Sequence, residues 1–126
     1  MNGTDYLLDT NIIIYLAQGK LNTSDFAKNE STLCISSITY IEALGYPFSS
    51  QDKENAIIGL CSMLKRLFLT EEVEKQTILI RKIKKIKLPD AIIAATAMVY
   101  NLTLVTHNSD DFKNIQGLKM INPFSC

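Results

Sequence analysis

Leu88-Pro89-Asp90-Ala91-Ile92-Ile93-Ala94-Ala95-Thr96-Ala97-Met98-Val99-Tyr100-Asn101-Leu102-Thr103-Leu104-Val105-Thr106 reads as a helix followed at once by a strand, and that succession sets the fold class. Pro89 suits the first position of a helix, where its missing N–H costs nothing, and Asp90 follows in the first turn. Ala91 to Val99 is small and apolar on most faces, as a helix packed closely on a sheet requires, and Asn101 ends it. Leu102 to Thr106 is the most strand-like segment of the chain, with the polar cluster His107-Asn108-Ser109-Asp110-Asp111 at its carboxyl end. In parallel α/β sheets, ligands bind at that edge.

The same alternation recurs towards both termini. Tyr6-Leu7-Leu8 is a short buried strand, and Asp9-Thr10-Asn11 offers capping side chains for a helix over Ile12 to Leu16 despite its β-branched residues. Leu33-Cys34-Ile35 is a second strand. Ser36 and Ser37 are N-cap candidates for a helix that carries Glu42 and Leu44 and stops at Gly45 and Pro47. From Ser50 to about Lys65, Ala56, Ile57, Leu60, Met63 and Leu64 recur at spacings of three and four, which predicts one buried helical face. Arg66 to Leu69 reads as a third strand, Thr70 caps an acid-rich helix running to about Lys85, and Lys119-Met120-Ile121 is a final strand before Pro123. Short apolar runs alternating with helices predict an α/β fold with a mainly parallel sheet.

The chain has 126 residues, a length that forms one compact domain over 1–126 with little room for a second core. At 47% apolar and 21% charged it is globular in composition and unlike a disordered interaction protein. No apolar run reaches the roughly 20 residues that span a bilayer, and Asp5 and Asp9 stand where a signal peptide needs basic and then apolar residues, so no membrane association and a cytoplasmic location are expected. Cys34, Cys61 and Cys126 lack metal-type spacing and are expected as buried thiols. Thirteen basic residues balance thirteen acidic ones, so any contact with a polyanion must be local. The one basic run, Arg81 to Lys87, reads either as a solvated helix face or as a phosphate-backbone contact leading to Asp90.

Asp9, Glu42 and Asp90 each fall at a strand end or in the first turns of a helix, so parallel βα units would bring them to one edge. Crowded carboxylates repel one another and raise one another's pKa values unless a cation compensates. Hard oxygen ligands with no Cys and no paired His favour Mg²⁺ or Mn²⁺ over zinc. The implied chemistry is metal-dependent phosphodiester hydrolysis, with water as nucleophile and a 5′-phosphate and 3′-hydroxyl as products. The single His107 weakens a two-imidazole mechanism, and no GxSxG or Walker motif is present.

Leu8-Asp9-Thr10-Asn11, Ile35 to Glu42, and Leu88 to Ala97 resemble successive motifs of PIN domains. Leu104 to Asn108 with Asp111-Phe112, then Gly117-Leu118 and Asn122-Pro123, continue the match in order. The resemblance covers essentially the whole chain and is greatest to the VapC/FitB toxin branch. It implies a three-layer α/β/α sandwich, Mg²⁺ or Mn²⁺ dependence and endoribonuclease activity, with Asp9, Glu42 and Asp90 as the metal-holding acids. At the fourth position it places Asn108, with Asp110 and Asp111 as nearby acids. An Asn adds no negative charge, so one firmly held metal is expected. The resemblance also gives Thr10 and Thr106 as supporting hydroxyls, Ser36 and Thr39 as residues bracing the Glu42 helix, an RNA substrate, a cognate antitoxin whose arm covers the acidic groove, and a homodimer.

Blander roles exist for each residue: Asp9 as an N-cap, Glu42 as a solvent-facing helix acid, Asp90 as a first-turn acid, Asp111 as a turn residue, His107 as a loop residue, and Tyr40 and Tyr46 as packing. Two other functions compete. One is a catalytically inert PIN-like partner-binding module. The other is a Mg²⁺-dependent phosphoacceptor signalling domain, which normally needs an acidic pair after the first strand where this chain has Asp-Thr-Asn.

Overall fold

β1 (Tyr6–Leu8), β2 (Leu33–Ser36), β3 (Lys65–Leu67), β4 (Thr103–Val105) and β5 (Lys119–Ile121) form one sheet in the order β3-β2-β1-β4-β5. Every pairing is parallel. The coordinates are a computed structural model and describe residues 5–28 and 30–124. Helices α1 (Thr10–Ala17), α2 (Ser37–Leu44), α3 (Gln51–Ser62), α4 (Glu71–Ile83) and α5 (Leu88–Val99) flank the sheet, with short 3-10 turns at Thr23–Asp25 and Ser109–Phe112.

Each strand is too short to bury much by itself, so its alternate residues serve two cores. Leu7, Cys34 and Leu104 point to one, where they meet Val73 and Ile80 of α4 and Ala91, Ala94 and Ala95 of α5. Leu8, Ile35 and Val105 point to the other, with Ile12 and Ile13 of α1, Ala43 of α2, and Ile57 and Cys61 of α3. That period-two division makes the three-layer α/β/α sandwich. The alanines of α5 let that helix lie close to the sheet and to α4. The β-branched start of α1 stays helical because Ile12 and Ile13 are completely buried, and burial outweighs their propensity deficit of under about 1 kcal/mol each.

Several boundaries differ from the sequence reading. Lys87, not Leu88, is the N-cap of α5, so Pro89 occupies the second helical position, where an unpaired N–H is equally dispensable. The buried face of α3 is Ile57 and Cys61 with Leu60 and Leu64 partly covered, whereas Ala56 faces solvent and Met63, the residue that caps the helix, is 82% exposed. β3 ends at Leu67, so Phe68 and Leu69 are exposed beyond an edge strand. Tyr40 packs beneath the Arg66 guanidinium, 4.0 Å from its ring centroid, but Tyr46 is 64% exposed and lies on a cleft wall. Cys34 and Cys61 are buried free thiols; Cys126 lies outside the described residues. Among the described residues no helix is long and apolar enough to cross a membrane.

The sheet order places β1 beside β4, where the chain's direction of winding reverses. A crevice opens at the carboxyl ends of the strands at such a switch point. Asp9 is the first residue past the end of β1, and Thr106 the first past the end of β4.

Candidate active site

Asp9 follows β1 directly and is 5% exposed. Its Oδ1 accepts the Thr10 N–H at 2.8 Å, which caps α1. Its Oδ2 accepts the Thr106 hydroxyl at 2.7 Å and the Asn11 side-chain amide at 3.3 Å. Thr106 is fully buried, and its hydroxyl oxygen in turn accepts the Asn108 N–H at 3.0 Å. The N-cap role and a site role therefore coexist, because a carboxylate has about four lone-pair positions and this one retains free capacity.

Glu42 projects from the second turn of α2. That helix begins at Ser36, whose Oγ accepts the Thr39 N–H at 3.1 Å. Glu42 Oε1 accepts the Thr10 hydroxyl at 2.7 Å, a charge-assisted bond that takes the one proton Thr10 has. The Thr10 and Thr39 hydroxyl oxygens lie 3.4 Å apart, and the Ser36 hydroxyl donates to Thr39 at 3.2 Å. Ser36, Thr39 and Thr10 thus form a line of hydroxyls from the end of β2 to the Glu42 carboxylate.

Asp90 lies in the first turn of α5. Its pKa is raised to about 6, first by burial and then by the charges of Asp9, Asp111 and Glu42, with Lys87 opposing. Burial also raises the Asp9 pKa; the Thr106 and Thr10 hydrogen bonds pull it back, and Glu42 and Asp111 add to the rise. Acids far apart in the sequence thus share one electrostatic field.

Asp9, Glu42, Asp90 and Asn108 line one cleft of about 1080 Å³, together with Thr10 and Asn11. Its far wall is Ile14, Tyr46, Phe48 and Ile57, with Asp52 and Lys53 of α3 at its side. Asp111 stands outside the lining, exposed at the start-of-loop turn that contains Phe112, and acts on the site through its charge. Asp110 is exposed in the same turn.

Among the described residues, no three acidic, His or Cys side chains are already drawn into a closed metal-binding group. Asp9, Glu42 and Asp90 share the lining of the cleft without forming such a group. Mg²⁺ or Mn²⁺ keeps several waters and takes one or two carboxylates, so it does not need a full protein cage. The chemistry of the donor set agrees, since burial and then the charges of Asp9, Asp111 and Glu42 raise the Asp90 pKa to about 6, and a dication beside the carboxylate would offset both.

Two contributors were absent from the sequence reading. Asn11 reads there as a cap, but its amide joins Asp9 to the β4 loop, donating to Asp9 and accepting the His107 N–H at 3.2 Å. Lys87 belonged to the basic run as a whole, and only its position before α5 brings it beside Asp90. An amide two residues after a site acid was the available signal for the first.

Comparison with known proteins gives a consistent picture. The family model described as PIN domain matches residues 6–118. Ribonuclease VapC1 of Rickettsia felis is 32% identical over 126 residues, covering 91% of this chain and 93% of that protein. A toxin–antitoxin complex from Klebsiella pneumoniae contains a chain 30% identical, with a TM-score of 0.78 and coverage of 97% of this chain and 100% of that one. The DNA-bound VapBC structure from Salmonella typhimurium superposes with a TM-score of 0.80 at 28% identity, covering 95% of this chain and 98% of that one.

Proposed function

The chain belongs to the PIN-domain family, and we propose that it is a metal-dependent endoribonuclease of the VapC kind, the toxin of a toxin–antitoxin pair. The observation that carries this reading is the gathering of Asp9, Glu42, Asp90 and Asn108 on one cleft at the carboxyl edge of the sheet. Asp9 and Asp90 would hold Mg²⁺ or Mn²⁺, with Glu42 completing the set directly or through water. Such an ion supplies an activated water and neutralises the anionic oxygens of a phosphodiester.

The protein's own residues prepare for that chemistry. Thr106 and Asn11 fix Asp9, and Thr10 holds Glu42 in one orientation. Asn108 offers an amide without a charge that would repel phosphate, which favours a single firmly held ion. Asp111 adds negative potential from the rim. The run Arg81 to Lys87 ends beside Asp90 and supplies cations for the flanking RNA backbone. Cleavage by water leaves a 5′-phosphate and a 3′-hydroxyl.

The relatives described as toxin–antitoxin and VapBC complexes support a cognate antitoxin as partner. An arm presenting Arg or Lys to the acids and apolar side chains to Ile14, Tyr46 and Phe48 would fill the cleft and shut off activity. Exposed Ile78, Leu79 and Ile83 on α4 support self-association as a homodimer, which light scattering would register as twice the chain mass. A cytoplasmic location, where RNA substrates are found, belongs to the same reading.

The test is incubation of the purified protein with total cellular RNA in Mg²⁺ or Mn²⁺, in chelator, and as Asp9→Asn, followed by mapping of the new 5′ ends. Phosphorylated 5′ ends that require metal and Asp9 are expected. Intact RNA in every arm would favour the inert partner-binding module.

A further inference from the structure

Tyr15, His107 and Phe124 meet at the same edge of the sheet as the acids. The His107 and Phe124 ring centroids are 4.7 Å apart with planes at 69°, Tyr15 and Phe124 are 5.0 Å apart at 65°, and Tyr15 and His107 are 5.6 Å apart at 89°. All three contacts are edge-to-face, so ring faces in the cluster are left without a stacked partner. His107 is exposed and Phe124 is 42% exposed, whereas an aromatic residue kept only for packing gains by being covered.

Hydrogen bonds hold the exposed pair in place. Asn122 donates its amide to the His107 carbonyl at 3.0 Å and accepts the Phe124 N–H at 3.0 Å. The His107 N–H goes to Asn11 Oδ1, and the other end of that amide is bonded to Asp9. Asn11 and Tyr15 are one turn apart on the same face of α1. A single side chain therefore separates the aromatic cluster from the carboxylate that opens the site.

We propose that His107 and Phe124 form a stacking platform for an unpaired nucleobase next to the scissile phosphate of single-stranded RNA. The proposal rests on the RNA-cleaving reading above. A chain with thirteen acidic and thirteen basic residues, and with acids crowded at its site, has little long-range attraction for a polyanion. Stacking supplies affinity that does not depend on charge, and aromatic side chains are the usual means of holding splayed-out bases. Contacts of this kind also set which base flanks the cut.

The test has a binding arm and a kinetic arm. The cleavage-deficient Asp9→Asn protein is mixed with short single-stranded RNAs in which 2-aminopurine is moved one position at a time. Fluorescence quenching at one or two adjacent positions is expected, lost on adding His107→Ala or Phe124→Leu and kept with Phe124→Trp. In the kinetic arm, replacing the nucleotide beside the mapped cut by an abasic ribose should lower kcat/KM of the native protein roughly five- to hundred-fold, the range for one base–aromatic stack. The same replacement should change little in a His107→Ala/Phe124→Leu double variant. Equal losses from the abasic replacement in native and double-variant protein, or RNA binding with no quenched position, would overturn the platform while leaving the nuclease standing. A protein that neither binds nor cleaves RNA would overturn both.

Discussion

Replacing Asp90 by Asn should make the metal-free protein more stable while destroying its activity. A carboxyl that titrates at about 6 in the fold, against 3.8 as the ordinary value, opposes folding by about 3 kcal/mol at neutral pH. Asp90 keeps some contact with solvent, which screens part of that repulsion, and its negative charge in the first turn of α5 regains about 0.3–1 kcal/mol from the helix dipole. The net gain for Asp90→Asn is therefore about 1–2 kcal/mol at pH 7. The sign fixes its pH course. Because the folded pKa lies above the unfolded one, the native state binds the extra proton between about pH 4 and 6, and the native protein loses stability relative to the variant as pH rises through that window. The advantage of Asn should vanish near pH 4 and be complete by pH 7. Urea denaturation of both proteins in chelator, at several pH values from 4 to 7, measures it directly. A variant less stable than the native protein at pH 7, or a difference independent of pH, would refute the view that burial and the neighbouring acids make the charged Asp90 a cost to folding.

Other expected outcomes follow from the same geometry. Thr106→Val removes the buried donor to Asp9 Oδ2 and should cost about 1.5–3 kcal/mol at neutral pH, read by denaturation, with weaker Mn²⁺ affinity read by titration calorimetry. RNA cleavage at fixed metal should fall as pH drops from 7 to 5, because protonated Asp90 is a poor ligand, and Asp90→Asn should leave no activity at any pH. Neutralising Arg81, Lys82, Lys84 and Lys85 together should reduce the salt dependence of RNA binding by a log–log slope of about 3, at roughly 0.7 per phosphate contact in a single strand. Gly45→Ala would bring a Cβ to 2.7 Å from the Ile41 carbonyl oxygen, so the end of the helix bearing Glu42 should shift at a cost of about 1–3 kcal/mol in thermal or urea unfolding.

The parallel α/β plan and the meeting of Asp9, Glu42 and Asp90 on one cleft were legible because both are written in local patterns. Tyr6 to Leu8, Leu33 to Ile35 and Leu102 to Thr106 are apolar runs bounded by capping side chains; Asp9 sits where the first ends, Glu42 on the helix that follows the second, and Asp90 in the first turn of the helix that precedes the third. The order of the PIN-like motifs then pointed to the family to which the chain belongs. What stayed hidden depends on distant contacts. Met63 and Ala56 keep helical spacing, so periodicity counted them as core, but Met63 caps α3 beyond its last turn and Ala56 is exposed on the cleft side of the helix. Tyr46 looked like packing, yet its place beyond Gly45 leaves it on the cleft wall. The choice among Asn108, Asp110 and Asp111 turns on a loop after β4, where Thr106 draws the Asn108 backbone inward and the following turn carries both acids outward. No local pattern records that. Asn11 and the Tyr15, His107 and Phe124 rings meet across almost the whole chain length, a separation that neither propensity nor spacing can report.

Anomalous diffraction from crystals soaked in Mn²⁺ puts the metal question most directly. One strong peak per chain is expected in the cleft, bonded to carboxylate oxygens of Asp9 and Asp90, with Glu42 within direct or one-water reach and no peak in Asp9→Asn crystals. A peak elsewhere on the molecule, or none at saturating Mn²⁺ with the cleft open to solvent, would contradict the assignment of these acids as the metal-holding set.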